Sequence, residues 1–263
     1  MYSSLITPNI PSQKLLMTAS MILLLVVLFG GCATIPVEEP QAKKGVIAIN
    51  ATVFLKGDLL NWFPGTIQPI HAYFVKLDKG ADMFKQTKII RSNQTVGDDM
   101  YLLNAEPGTY VAIGLQAVQE RDKKEEEKKH AYDNTKMRFF KEVFFPKKLI
   151  KMTKVTVKPD SAAYMGMYMV SEPKFTERSK ILDDAQKHYY KVVAPMVYKV
   201  PGYKVMDDMG MDYRVFGAVL SVFRKDTKYE IKFLKRGMRT FKKSQWVPIF
   251  QKKLQELKNL DNE

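Results

Sequence analysis

The only cysteine of the 263-residue chain, Cys32, follows an apolar run and two glycines. Residues 15–29 carry no charge, Lys14 stands directly before them, and Gly30-Gly31 separate them from the cysteine. Small residues allow the backbone to enter a peptidase site, and a thiolate is nucleophilic enough to accept a diacylglyceryl group as a thioether. The segment therefore combines an apolar run, two small residues and one nucleophilic thiol.

This N-terminal pattern is similar to a known export signal. A secretory signal has a basic start, an apolar segment of about 7–15 residues and small residues before the cut. Residues 14–34 resemble the signal peptide and lipobox of bacterial lipoproteins, although Phe29 stands where that family usually has leucine. The resemblance implies a protein held in the cell envelope by acyl chains on Cys32. Ala33 is not the aspartate that retains many enteric lipoproteins at the inner membrane, so the resemblance implies the outer membrane. The alternative is an uncleaved anchor with a free thiol.

Positive charge is concentrated near the C-terminus. Residues 1–31 hold one basic residue and no acid, so their removal leaves 41 Lys+Arg against 28 Asp+Glu. Between Arg224 and Lys253 stand eleven basic residues and two acids. Such a surface suits anionic lipid headgroups or an acidic envelope protein, and export argues against nucleic acid. The competing interpretation is a solvated helix face. The candidate contact residues are Lys232, Lys235, Arg236, Arg239, Lys242 and Lys243.

The middle of the chain has the rhythm of short strands. Pro107-Gly108 predicts a tight turn between two apolar strands, and residues 158–161 predict a turn between strands at 151–157 and 162–170. Turn-separated strands without intervening helices indicate an antiparallel sandwich. The strand rhythm and the turns of residues 45–170 resemble prealbumin-like or immunoglobulin-like sandwiches of envelope lipoproteins.

Helical periodicity dominates after this region. Residues 176–193 predict a helix that Pro195 ends, whereas residues 215–223 fit either a buried strand or a short helix. Asp226 and Ser244 are placed to cap two amphipathic helices. The fold class predicted is α+β, an antiparallel β-sandwich followed by C-terminal amphipathic helices. The predicted segments are a signal peptide (1–31), a lipidated tether (32–44), a β-sandwich domain (45–170) and a mainly helical region (171–263).

The sequence offers no catalytic template. It has neither the G-x-S-x-G nucleophile elbow nor the Walker A or G-x-G-x-x-G phosphate loops. The three histidines are far apart, and the paired aspartates lack the alternating pattern of a calcium loop. We therefore predict no catalytic residue, no metal and no cofactor, and a non-catalytic binding or scaffolding role at the membrane surface. The alternative is an enzyme acting on envelope glycan or lipid through a site assembled from distant residues.

Overall fold

The computed structural model describes residues 37–54, 66–121, 137–171, 182–197 and 215–260. The chain divides into two units, Met1–Val37 and Glu38–Glu263, and all elements named below belong to the second. Cys32 and the apolar run before it lie outside the described residues. The strands are β1 (Gly45–Phe54), β2 (Thr66–Leu77), β3 (Ile89–Arg91), β4 (Gln94–Val96), β5 (Asp99–Ala105), β6 (Gly108–Arg121), β7 (Met137–Phe144), β8 (Val155–Val157), β9 (Ala162–Ser171), β10 (Val215–Gly217) and β11 (Val219–Arg224). The helices are α1 (Lys147–Met152), α2 (Asp184–Val197), α3 (Thr227–Thr240) and α4 (Trp246–Leu260).

The architecture is α+β, as predicted, but the sheet is mixed rather than antiparallel. Its main path runs β10-β7-β6-β2-β1-β5-β4. β1 pairs antiparallel with β5 and parallel with β9, and β10 pairs parallel with β7. The parallel pairs join segments that are distant in sequence, so the turn signals on which the antiparallel prediction depended carried no information about them.

The central strand, β1, is apolar along most of its length because it is covered on both faces. Val46, Ile47, Ile49 and Val53 are all buried, and β-branched side chains of this kind pack well on a pleated surface. β1, β4, β5, β9 and β11 form a first strand group, and β2, β3, β6, β7, β8 and β10 form a second. The two groups are joined where Val53 and Phe54 of β1 meet Ile67 and Thr66 of β2.

Both predicted turns connect strands that do not form a hairpin. β5 and β6 flank Pro107-Gly108, yet β5 pairs with β1 and β4 while β6 pairs with β2, β7 and β8. This turn therefore carries the chain from the first strand group to the second. The turn at residues 158–161 likewise separates β8, which pairs with β6, from β9, which pairs with β1 and β11.

The C-terminal segment contributes strands as well as helices. Residues 215–217 and 219–224 are strands, and β11 pairs with β9. The C-terminal segment thus pairs with a strand of residues 45–170, and both belong to the unit Glu38–Glu263. Pro195 lies inside the last turn of α2, which continues to Val197, so the predicted stop at this proline was wrong. A proline this near the C-terminus of a helix disrupts few backbone hydrogen bonds.

Helices α3 and α4 pack on the sheet through aromatic rings. Asp226 is the N-cap of α3, and its carboxylate accepts a hydrogen bond from the backbone N–H of Tyr229 at 3.0 Å. The Ser244 hydroxyl accepts from the Trp246 backbone N–H at 3.2 Å, at the start of α4. Gly237 lets α3 approach Phe250 of α4, since a Cβ there would lie 3.2 Å from the ring. The aromatic cluster comprises Tyr101, Tyr164, Phe233, Phe241 and Phe250.

We predict that Phe250→Ala lowers the free energy of unfolding by about 3–5 kcal/mol, because it leaves a cavity between the two helices. The change is measured by chemical denaturation followed by circular dichroism. Met196→Ala is the control, because Met196 is 45% exposed and its truncation is expected to cost less than about 0.5 kcal/mol. Equal losses in the two variants would contradict this packing.

Candidate functional site

An open groove with a volume of about 760 Å³ runs along the exposed side of α3. Lys235, Met238, Arg239 and Lys242 line it. Met238 and Arg239 are three and four positions after Lys235, so these three residues share one face of α3, and Lys242 follows in the turn after the helix. The groove therefore presents three cations around one methionine side chain.

Five of the six predicted contact residues are exposed. Lys235, Arg239 and Lys242 lie at the groove, and Lys243 follows in the turn after α3. Lys232 is also exposed, and its Nζ lies 5.2 Å from the ring centroid of Tyr229, within the range of a cation–π contact. These five side chains give α3 and the turn that follows it a basic surface, which we call the basic face.

The acidic residues of α3 do not neutralise the basic face. Asp226 is occupied as the N-cap, and Glu230 lies 4.0 Å from Lys253 of α4. Burial raises the pKa of Glu230, and the charges of Lys253 and Lys225 oppose that shift. Glu230 is thus directed toward α4, and the groove keeps its positive charge.

Arg236, the sixth predicted contact residue, is engaged in the fold instead. Its Nε and Nη2 donate to the two carboxylate oxygens of Asp99 at 2.8 and 2.9 Å. The Asp99 side chain is only 7% exposed, and Asn50 donates a further hydrogen bond to it at 2.7 Å. The prediction that Arg236 contacts a partner is therefore corrected. The sequence placed this arginine among its basic neighbours but gave no sign of a carboxylate 137 residues away.

Buried phenols surround this ion pair. Burial raises the pKa of Tyr101 and of Tyr164, and the charge of Asp99 raises both further, so both phenols stay neutral. The hydrogen bonds that Arg236 donates to Asp99 raise the pKa of the arginine, against the effect of burial. The ion pair therefore lies in an environment of low dielectric, where a bidentate arginine–carboxylate contact is strong and geometrically specific.

Sequence reasoning missed a second polar cluster, a buried row across β2, β6 and β7. Tyr73 Oη and Gln116 Nε2 donate to the two oxygens of Glu142, each at 2.8 Å. Arg91 Nη2 donates to Gln116 Oε1 at 3.1 Å. In the sequence these polar residues interrupt apolar strands singly, and only strand register brings them together. Because the cluster is largely buried, we assign it to the fold rather than to a ligand site.

The described histidines have structural partners. His71 Nδ1 lies 3.1 Å from the backbone oxygen of Ser92, and His188 Nε2 donates to the Gln86 carbonyl at 2.9 Å. Burial lowers the pKa of His71, the charge of Arg91 lowers it further, and the contact with Ser92 opposes both effects. The Ser92 hydroxyl also lies 3.4 Å from His71 Nδ1, and it accepts a hydrogen bond from the Ala72 backbone N–H at 3.0 Å. Ser92 is buried within the fold, so we assign this contact to the structure rather than to a reaction.

No protein-family model, curated protein or solved structure matches the chain. Within the described residues, no group of three or more His, Cys, Asp or Glu side chains is placed to hold a metal, and no helix is long and apolar enough to cross a membrane. The basic face is therefore the feature from which a function must be argued.

We predict that Arg236→Met lowers the free energy of unfolding by about 3 kcal/mol, because it leaves the Asp99 carboxylate buried without its cation. Arg239→Met on the same helix is the matched control and should change stability by less than about 0.5 kcal/mol. Denaturant unfolding measures both. A similar loss in the two variants would show that the contact with Asp99 does not hold α3 in place.

Proposed function

We propose that this protein is a lipid-anchored component of the bacterial cell envelope that binds anionic lipid headgroups without catalysing a reaction. The observation that carries the proposal is the basic face, in which exposed lysines and an arginine line an open groove on a helix fixed by Arg236 and Asp99. The acyl group on Cys32 and the outer-membrane location are part of the proposal, on the strength of the lipobox-like sequence.

The anchor and the basic face have complementary physical roles. Each buried acyl methylene contributes about 0.8 kcal/mol, so two or more chains hold a protein stably on a membrane. Each Lys or Arg near an anionic surface contributes about 1 kcal/mol, but only within a Debye length of about 8–10 Å. The anchor would bring the groove within this range, and the groove would then determine which surface faces the headgroups.

We also infer that the two strand groups are the layers of a β-sandwich. Ile49 of β1 and Ile113 of β6 belong to different strand groups, yet both are fully buried in one hydrophobic core. The crossing at Pro107-Gly108 and the short junction between β1 and β2 are also typical of two sheets that share a corner. In this arrangement the sandwich is the rigid support on which α3 displays the basic face.

The proposal predicts that reversing the groove charges weakens binding to anionic vesicles. Lys235→Glu, Arg239→Glu and Lys242→Glu are combined in a chain that begins at residue 32 and carries Cys32→Ala. Loss of about 1 kcal/mol per residue corresponds to about a hundredfold weaker binding to phosphatidylglycerol vesicles in co-sedimentation. Binding of the unaltered groove should also weaken steeply as salt is raised.

The matched control reverses three exposed lysines on α1 and α2, Lys148, Lys187 and Lys191, with the same change in net charge. It should retain most of the vesicle affinity. Equal losses in the two triple variants would mean that total charge, not the groove, drives binding. Unchanged affinity in the groove variant across a salt series would contradict the lipid assignment and favour the acidic envelope protein as partner.

A further inference from the structure

The segment that follows the predicted anchor is fastened to the start of α4. Trp246 Nε1 donates to the backbone oxygen of Glu38 at 2.7 Å. One carboxylate oxygen of Glu39 accepts from the Ser244 hydroxyl at 2.9 Å and from the Gln245 backbone N–H at 2.8 Å. Glu39 thereby satisfies a backbone donor at the N-terminal end of α4, where negative charge is also favoured by the helix dipole.

The same segment is also hydrogen-bonded to Asn93, in the loop before β4, and to Asn104 of β5. Asn93 Nδ2 donates to the Glu38 carboxylate at 3.1 Å, and Asn104 Nδ2 donates to the Glu39 carbonyl at 3.0 Å. Asn104 Oδ1 in turn accepts from the Gln41 backbone N–H at 2.7 Å. We call residues Glu38–Gln41 the clamp, because they bridge this side of the sheet and the start of α4.

The clamp shortens the link between lipid and folded unit. The sequence predicted a tether over residues 32–44, whereas the compact unit begins at Glu38. Only residues 33–37 separate Cys32 from the clamp. Six residue steps reach about 20 Å when fully extended and about 13 Å on average for a flexible chain. A tether that ran to Gly45 would reach about twice as far.

The clamp also determines which end of the protein is tied to the lipid. Its partners Ser244 and Gln245 belong to the turn of residues 241–245 that joins α3 to α4. Lys242 and Lys243 are exposed in the same turn, directly beside the clamped serine. The link between Cys32 and the clamp therefore meets the folded unit near Lys242 and Lys243, at the C-terminal end of the basic face.

We propose that the clamp orients the anchored protein, so that the turn of residues 241–245 faces the bilayer and its lysines contact acidic phospholipid headgroups. This inference rests on the acylation of Cys32 proposed above. The partner is a phospholipid surface because the link is short, Lys242 and Lys243 are exposed in the turn, and a bilayer is the surface to which an acylated cysteine ties the chain. Without the clamp, the anchor alone would leave many orientations open.

Single thiols can test this orientation in the full acylated chain. An acylated Cys32 has no free thiol, so an introduced cysteine becomes the only site for a fluorescent label. Lys243→Cys places the label in the turn, and Gln68→Cys places it on β2 beside Ile67, which pairs with Val53 near the far end of β1. Asn104, which bonds to the clamp, is next to Ala105, the partner of Gly45 at the other end of β1. Vesicles of phosphatidylcholine and phosphatidylglycerol carry a headgroup-bound quencher.

We expect the label at residue 243 to be quenched several-fold more strongly than the label at residue 68. Combining Glu38→Ala with Glu39→Ala removes the three side-chain hydrogen bonds between the clamp and its partners and leaves the three made by its backbone. The loosened clamp should narrow the difference in quenching between the two labels. Asp78→Ala with Glu256→Ala is the matched control, since it removes two exposed carboxylates that make no contact with the clamp and should leave the difference intact. Circular dichroism and thermal melting check that each variant stays folded.

Two results would overturn the inference while leaving the proposed function standing. One is equal quenching of both labels in a chain whose Cys32 carries the acyl group. The other is a difference that keeps its native size in the Glu38→Ala, Glu39→Ala variant. Absence of an acyl group on Cys32, read by mass spectrometry of the same sample, would instead overturn the proposed anchoring, and the inference with it.

Discussion

A carboxylate that is almost fully buried in a sheet must have a cation, and here the helix that carries the basic face supplies it. Asp99 lies on β5 and is met by Arg236 of α3 through two short hydrogen bonds. Removal of Arg236 would leave the buried Asp99 carboxylate without its cation, so the contact holds the helix to one position on the sheet. The aromatic cluster fills the space around it, with Tyr164 and Phe233 stacked at 4.6 Å between ring centroids. Once α3 is fixed by this pair, Lys235 and Arg239 are exposed on the helix, and Lys242 is exposed in the turn that follows it.

The same constraint explains why the molecule can use a short link to lipid. Because α3 and α4 are fixed on the sheet, the turn between them has a fixed place, and Glu39 can bond to it. A chain with one cysteine has no internal disulfide bond, so it depends on packing and on such polar contacts for its rigidity. Surface ion pairs contribute little to stability. We therefore attribute the stability of this packing mainly to the contact between Arg236 and the buried Asp99 and to the aromatic cluster, rather than to the exposed lysines.

Local sequence signals predicted local features and little beyond them. The α+β class follows from strand rhythm and helical periodicity, and Asp226 indicated the start of α3 through ordinary N-cap chemistry. The pairing of β1 with β9 could not be predicted, because no turn joins two strands more than a hundred residues apart. The residues of the candidate site could likewise be predicted only in part. Charge density identified the basic residues, but only the tertiary fold distinguishes Arg236, which binds Asp99, from Arg239, which faces the groove. The hydrogen bonds of Glu38 and Glu39 could not be predicted, because the neighbouring Pro36 and Pro40 and the mixed charges of this segment are typical of a linker.

The central claim is that acylation of Cys32 holds this protein on a membrane. The most direct measurement is incorporation of labelled palmitate together with membrane fractionation, for the native chain and for Cys32→Ala expressed in a bacterium. Our account predicts that the native chain takes the label and sediments with the membrane, and that both properties are lost when the cysteine is replaced. A native chain that takes no label, with a Cys32→Ala variant that remains in the membrane fraction, would contradict it.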